Sequence, residues 1–222
     1  MLFLVGSPIG NLNDITLRAL SVLKEVTLVA AEDTRHSSIL LKRFEINKPL
    51  VSFHEHNEAR RTSELIEKMR AGEKVALLTD AGMPSISDPG YRIVRACIEN
   101  GIPVEVIPGP SAVLTALVGS GLPTDRFYFG GFLPVKSGQR ERELLAALAR
   151  EVTSIYFESP HRIVRSLEVI GKEDPTRSIC VARELTKHFE EYRRGEASTV
   201  LAHYTTHPPK GEITLIISGI RI

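Results

Sequence analysis

The chain has 222 residues, of which 42% are hydrophobic and 25% charged, an ordinary globular composition that excludes a largely disordered protein. The formal net charge is only +1, so any affinity for nucleic acid must come from local basic patches. Cys97 and Cys180 lie far apart in apolar surroundings, which indicates reduced, buried thiols and excludes a Cys-based metal site.

The first ten residues, MLFLVGSPIG, contain a short apolar run with no basic lead and no cleavage site. This run is typical of a first buried strand and is too short for the apolar core of a signal peptide. No later stretch approaches the ~18 uninterrupted apolar residues that a membrane span needs. We therefore expect a cytoplasmic protein with no membrane partner.

In the first half of the chain, short apolar runs alternate with helical patterns. They predict strands at 2–5, 27–31, 49–53, 75–78 and 103–107, and helices at 17–26, 35–44, 57–71 and 91–99. In the helix at 57–71, Leu65, Ile66 and Met69 are apolar, and the rest is predicted to be solvated. This alternation predicts a mostly parallel sheet covered on both faces.

Two prolines and a glycine at 108–111 mark the best candidate for a domain boundary. We predict an N-terminal α/β domain at 1–110 and a C-terminal α/β domain at 111–222. The second half begins with a small-residue helix at 112–119. Strands are then predicted at 126–132, 153–157, 178–183, 189–194 and 212–218, helices at 140–150, 161–170 and 197–204, and a basic loop at 136–140. More strands per helix indicate a mixed sheet.

Glycine-containing loops follow three predicted strands: GSPIG at 6–10, TDAGMPSISDPG at 79–90 and PGPSA at 108–112. The first is neither GxGxxG nor a P-loop, and it could be a ligand loop or simply a tight turn. The second, here called the glycine loop, is long and polar, which favours ligand binding over an ordered surface loop with Asp88 as a helix cap. The third could frame the same crevice or act only as a domain hinge.

Polar residues also follow the second and third strands. Glu32, Asp33 and Arg35 could supply a proton acceptor and an anion clamp, or Asp33 could merely cap a helix while Arg35 pairs at the surface. His54 and His56 share a face but lack a third ligand at suitable spacing, so no metal site is predicted. This segment could form a polar rim near the substrate or a solvated helix start.

Seven segments, in order, cover essentially the whole chain: VGSPIGNLNDIT, AAEDTR, LLTDAGMPSISDPG, VIPGPSA, FYFGGFLP, FESPHRI and VARELTK. Together they resemble the bacterial 16S ribosomal RNA ribose-2′-O-methyltransferases that modify a cytidine, a group within the tetrapyrrole methylase superfamily. The resemblance implies two α/β domains with S-adenosylmethionine in the cleft between them, and a homodimer. It also implies a substrate in the 16S ribosomal RNA of the small ribosomal subunit.

The resemblance implies a set of cofactor-binding residues drawn from the loops and strand ends of both domains. They are Pro8, Ile9, Asp80, Gly82, Met83, Pro84, Ile86, Ser111, Ala112, Phe157, Ser159, Leu185, Glu212, Ile213 and Thr214. Glu32, Asp33 and Arg35 are the catalytic candidates, with Glu32 or Asp33 preferred to His54 as the base. The candidate RNA contacts are His54, Asn57, Arg60, Arg61, Lys136 and Arg140.

Two alternatives remain open from the sequence. The first is a small-molecule methyltransferase acting on a tetrapyrrole or corrinoid, but the chain has few aromatic residues and no Trp to line such a pocket. Relatives of that type carry Gly-Asp-Pro where this chain has Gly82-Met83-Pro84, which argues weakly against a corrinoid. The second is a non-catalytic, ribosome-associated nucleotide-binding module, which would keep the glycine-containing loops and make no use of Glu32, Asp33 and Arg35.

Overall fold

The structure, a computed structural model, describes residues 1–220. It divides into two compact units, Met1–Ser111 and a second that begins at Ala112. The strands are β1 (Leu2–Val5), β2 (Leu28–Ala31), β3 (Leu50–Ser52), β4 (Val75–Leu78), β5 (Val104–Ile107), β6 (Phe127–Phe132), β7 (Thr153–Glu158), β8 (Ser178–Arg183), β9 (Glu191–Glu196) and β10 (Ile213–Ile217). The helices are α1 (Leu17–Glu25), α2 (Thr34–Arg43), α3 (Glu58–Arg70), α4 (Tyr91–Glu99), α5 (Ala112–Ser120), α6 (Ser137–Leu148), α7 (Ile163–Glu173) and α8 (Ala197–Thr206).

The first unit contains a parallel sheet with the strand order β3-β2-β4-β1-β5. Alternate residues of each strand face opposite sides, so Phe3 and Val5 pack with α1 and α2, while Leu2 and Leu4 pack with α3 and α4. Burial on both faces explains why β1, β2 and β4 are apolar without interruption.

The second unit contains a mixed sheet with the order β6-β7-β10-β8-β9. β6 and β7 are parallel, whereas β10 is antiparallel to both of its neighbours, and β8 and β9 are antiparallel. Helices α6, α7 and α8 pack on one face around Tyr156 and Leu215, and α5 contacts the sheet as well. The antiparallel β10 brings its own start to the edge at which β7 and β8 end.

Two sequence predictions about local structure are wrong, and one alternative to ligand binding, the Asp88 helix cap, is excluded. Residues 136–140 do not form a loop, because α6 begins at Ser137. Asp88 does not cap α4, whose N-cap position is occupied by Gly90. The polar residues of α3 are not all solvated, since Glu58 and Thr62 are buried on the same face as Leu65 and Met69. A short 3-10 helix at Leu12–Asp14 was not predicted.

Candidate active site

In the first unit, the three loops that follow β1, β4 and β5 are joined through their backbones. The N–H of Ser7 donates to the Gly82 carbonyl at 2.9 Å, and the N–H of Gly82 donates back to the Ser7 carbonyl at 3.2 Å. A Cβ on Gly6 would lie 2.7 Å from the Gly109 Cα and 2.7 Å from the Met83 Sδ. Only glycine at position 6 therefore allows this close approach, which gathers the loops at the carboxyl edge of the sheet.

The glycine loop has an unusual backbone. Gly82 has a φ of +81°, and two residues other than glycine, Ser85 and Ser87, have φ values of +73° and +63°. Left-handed conformations of this kind cost free energy and persist only where surrounding contacts impose them, as in many ligand-binding loops. Among the residues that the resemblance assigns to the cofactor, Pro84 is buried and Ile86 is exposed.

Two hydrogen bonds from backbone N–H groups to carboxylates join the ends of β2 and β4. The N–H of Asp80 donates to Glu32 Oε2 at 3.4 Å, while the N–H of Asp33 donates to Asp80 Oδ1 at 3.1 Å. Burial, reinforced by the charge of Asp80, raises the pKa of the Glu32 carboxyl. Burial also raises the pKa of Asp88 to about 7, and the charges of Glu32 and Asp80 add to this effect.

Asp33 is in a different electrostatic state from Glu32. It is the N-cap of α2, where its Oδ1 accepts from the Arg35 N–H at 2.8 Å. The Arg35 guanidinium also binds the same carboxylate through Nε at 3.1 Å and Nη2 at 2.7 Å. These hydrogen bonds hold the pKa of Asp33 far below its usual range. A carboxylate so strongly stabilised in its ionised form is a poor proton acceptor, which favours Glu32 as the base.

The end of the loop before α3 and the first turn of α3 carry four of the candidate RNA contacts. Asn57 is engaged within the protein, because its Oδ1 accepts from the His54 N–H at 2.9 Å and its Nδ2 donates to Ser52 Oγ at 3.1 Å. His54 is half-buried beside it. Arg60 is exposed and lies 3.4 Å from Glu64. Arg61 is partly buried and donates to the same carboxylate at 2.5 Å.

The two basic candidates of the second unit differ from each other. Lys136 is exposed at the N-cap position of α6. Arg140 is only 5% exposed, and its Nη1 donates to the carbonyls of Val135 at 3.0 Å and Pro134 at 3.3 Å. Because the Arg140 guanidinium is buried and binds carbonyls just before α6, it is not placed to contact RNA, in contrast to the prediction from the sequence.

In the second unit, the predicted cofactor residues gather at one edge of the mixed sheet. Phe157 on β7 and Ala182 on β8 both pair with Thr214 on β10, so these positions are neighbours across three strands. Ser159 follows directly after β7, and the buried Leu185 follows β8.

The turns at this edge are held by charged side chains. Glu158 is buried and accepts from the Ser159 N–H, from Arg162 Nε at 2.9 Å and from Ser166 Oγ at 2.7 Å. After β8, Lys187 Nζ donates to Glu184 Oε1 at 3.1 Å and to Glu212 Oε2 at 2.9 Å. The Glu212 carboxylate is therefore already paired, and Ile213 and Thr214 are buried in β10 between β7 and β8.

At the junction of the two units, Ser111 is the last residue of the first and Ala112 begins α5. Among residues 1–220, no three His, Cys, Asp or Glu side chains gather into a set that could hold a metal ion. Over the same residues, every helix is too short or too polar to cross a membrane.

Comparison with known proteins identifies the class to which this fold and these loops belong. The tetrapyrrole (corrin/porphyrin) methylase family matches residues 1–201. A uroporphyrin-III C-methyltransferase from Thermus thermophilus, solved with S-adenosyl homocysteine, has the same fold, with a TM-score of 0.66 at 22% identity over 97% of this chain and 96% of that one. The chain belongs to the tetrapyrrole methylase family, and the predicted α/β fold and family resemblance are confirmed.

Much higher identity connects the chain with one group inside that family. The ribosomal RNA small subunit methyltransferase I of a Synechocystis species is 48% identical over 99% of this chain and 79% of its own length. The protein of the same name from Thermotoga maritima is 47% identical over 98% of each chain. These matches span both units.

Sequence reasoning missed three residues that shape the two edges: Glu58, Asp88 as a titrating group, and Glu158. For Glu58 a signal was present, because Glu58, Thr62, Leu65 and Met69 follow the spacing of one helix face. For Asp88 no local signal existed, since its environment is created by burial and by the charge of Glu32, which is distant in the chain. The partners of Glu158 are local, but the burial of a carboxylate at a strand end could not be predicted from them.

Proposed function

We propose that this chain transfers a methyl group from S-adenosylmethionine to the ribose 2′-oxygen of a cytidine in the 16S ribosomal RNA of the small ribosomal subunit. The observation that carries the proposal is the 47–48% identity, over nearly the whole chain, to proteins named ribosomal RNA small subunit methyltransferase I. The tetrapyrrole alternative has weaker support, because the solved uroporphyrin-III C-methyltransferase shares only 22% identity.

The loops of the first unit fit a nucleoside cofactor with a cationic sulfonium. Gly6 and Gly82 let the three loops pack closely against one another, and Glu32 and Asp80 supply negative charge at the start of the glycine loop. We propose that Pro8, Ile9 and residues 80–86 bind the cofactor. The assignments of Ser111, Ala112, Phe157, Ser159, Leu185, Glu212, Ile213 and Thr214 stay predictions from the resemblance.

When bound, S-adenosylmethionine supplies an electrophilic methyl group on sulfur. The protein's main task is then to hold the ribose hydroxyl in line with that group and to exclude water. We propose that Glu32 accepts the hydroxyl proton, because its carboxyl has a raised pKa and, within residues 1–220, forms no ion pair with an Arg, unlike Asp33. Arg35 is proposed to hold Asp33 and, where its guanidinium is exposed, to face an anionic substrate.

We propose that RNA contacts His54, Arg60 and Arg61 in the first unit and Lys136 in the second. Arg60 and Lys136 are exposed cations of the kind that bind phosphate. Asn57 is proposed to orient His54 through the hydrogen bond that it accepts. Because phosphate contacts release counterions, RNA affinity should fall steeply with salt.

We also propose that the protein works in the cytoplasm as a homodimer. On α5 of the second unit, Leu114 and Val118 lie one turn apart and are 52% and 75% exposed. Exposed large apolar side chains at this spacing favour a protein contact. Sedimentation of the wild type and of Val118→Lys tests this, and a wild-type monomer at micromolar concentration would refute it.

The decisive experiment is incubation of the protein with methyl-labelled S-adenosylmethionine and small ribosomal subunits, followed by nuclease digestion and nucleoside mapping. We expect label on the ribose of a single cytidine. Label on a base would refute the 2′-O assignment, and absence of label from RNA would refute the RNA substrate. Parallel reactions replace the small ribosomal subunit with naked 16S RNA or with a tetrapyrrole. The reaction in which label is transferred shows whether the substrate is the assembled subunit, the free RNA or the small molecule.

A further inference from the structure

The glycine loop ends at the N-terminus of α4, where its last residue, Gly90, has no side chain to cap the helix. Gly90, at the N-cap position of α4, has no side chain and has a φ of +143°, a conformation that other residues rarely adopt. A Cβ at this position would lie 2.4 Å from Ser85 Oγ, so the last turn of the loop folds closely over Gly90. The unpaired N–H groups at the start of α4 need an acceptor from elsewhere.

That acceptor is Glu58 of α3. Its Oε1 accepts from the Gly90 N–H at 3.1 Å and from the Arg92 N–H at 3.4 Å, and its Oε2 lies 3.6 Å from Arg92 Nε. Glu58 is 8% exposed, so the carboxylate is held away from water by these partners. A negative charge at the N-terminus of a helix is further stabilised by the helix dipole.

The helix that carries Glu58 is itself fixed at its start. The neighbouring Asn57 accepts from the His54 N–H and donates to the Ser52 carbonyl at 3.3 Å and to Ser52 Oγ. The beginning of α3 is thereby bound to the end of β3 on one side and to the beginning of α4 on the other. Glu58 cannot shift without moving one of these two elements.

The glycine loop is consequently held at two points. At its beginning, Gly82 is bound to Ser7 through two backbone hydrogen bonds, and at its end Gly90 is bound to Glu58. Met83, Pro84 and Ile86, which are among the proposed cofactor contacts, lie between these points. We infer that Glu58 is a positioning residue that fixes the glycine loop in the conformation that binds the cofactor, an inference that rests on the proposed function.

The test compares Glu58→Ala and Glu58→Gln with two control variants. Arg92→Ala removes the ion pair but keeps both backbone donors, and Glu67→Gln removes an exposed carboxylate of the same helix that pairs with Arg70. For each protein, the affinity for S-adenosyl homocysteine is measured by calorimetry, together with kcat and KM for the cofactor on small ribosomal subunits. Amide exchange at Gly90 and Arg92 is measured by mass spectrometry.

For Glu58→Ala we expect affinity and KM to worsen about tenfold with kcat within about twofold, since a charged hydrogen-bond acceptor is lost. Glu58→Gln keeps one carbonyl acceptor and should lose about threefold, a partial rescue that a general loss of folding would not produce. Exchange at Gly90 and Arg92 should accelerate in both variants, while the controls stay near the wild type.

Unchanged cofactor affinity in Glu58→Gln, with faster exchange at Gly90, would overturn the inference and reduce Glu58 to a helix cap. A fall in kcat with unchanged KM would overturn it as well. If the wild type binds S-adenosyl homocysteine but methylates no RNA, the proposed substrate fails, while the affinity and exchange measurements still decide the role of Glu58.

Discussion

Replacing Asp88 by Asn should stabilise the protein at alkaline pH and leave its stability nearly unchanged in acid. Burial, together with the charges of Glu32 and Asp80, raises the pKa of Asp88 from its ordinary 3.8 to about 7 in the folded state. A carboxyl with a raised folded-state pKa contributes stability that is fully present below pH 3.8 and is lost as pH rises through about 7. Above pH 7 the folded protein therefore holds an unfavourable charge that Asn does not carry.

The size of the effect follows from the two pKa values. At 1.36 kcal/mol for each pKa unit, the difference between 3.8 and about 7 corresponds to at most about 4 kcal/mol. Because Asp88 is only half-buried, solvent screens the charge, and we expect about 1 to 2 kcal/mol at pH 8. At pH 4.5 the folded carboxyl is protonated and the difference should shrink to about 0.5 kcal/mol or less.

The assay is urea denaturation followed by circular dichroism between pH 4.5 and 8.5 for the wild type and Asp88→Asn. Asp125→Asn serves as the matched control, since its side chain is 78% exposed and its effect should not depend on pH. A stabilisation by Asp88→Asn that is equal at all pH values, or a destabilisation at pH 8, would refute the electrostatic reasoning.

Three further predictions concern the loops and the second unit. Gly6→Ala should abolish binding of S-adenosyl homocysteine in calorimetry, because its Cβ would lie 2.7 Å from the Gly109 Cα. Its control is Gly138→Ala on the exposed face of α6, which should raise the free energy of unfolding by up to about 1 kcal/mol. Glu158→Ala should cost about 3 to 5 kcal/mol in denaturation experiments, because it strands the Arg162 guanidinium; a loss below about 1 kcal/mol would show that this pair is dispensable. Glu32→Gln should lower kcat about 10²- to 10⁴-fold with cofactor affinity within about twofold, and an unchanged kcat would exclude Glu32 as the base.

Much of the secondary structure could be predicted because the central strands of the first sheet, β1, β2 and β4, are buried on both faces. An uninterrupted apolar run such as Val75–Leu78 carries that information in the sequence itself, and this strand has the predicted bounds. Residues 136–140 show the opposite case. A basic segment with Ser and Gly predicts solvent exposure, yet Arg140 turns back to the carbonyls of Pro134 and Val135 and lies inside a helix.

The candidate site could be predicted less completely than the fold. The polar residues at strand ends identified Glu32, Asp33 and the glycine loop, since parallel strands bring those ends to one edge. The sequence left Glu32 and Asp33 as alternatives, and only their partners separate them electrostatically. The helix-face spacing indicates that Glu58 is buried, but its hydrogen bond to Gly90, 32 residues away, is not indicated by any local pattern.

The central position of β1 in its sheet has a consequence for how the first unit folds during synthesis. This strand is synthesised before the two strands with which it pairs, β4 and β5, and Gly6 reaches its neighbour Gly109 only when the last residues of the unit have been synthesised. Such non-local pairing slows folding, because loop closure must precede the contacts that reward it. β1 therefore has no partner strand until β4 has been made, and the loops after β1, β4 and β5 come together only at the end of the unit's synthesis. The proposed cofactor site is consequently assembled only after residues 108–111 have been synthesised.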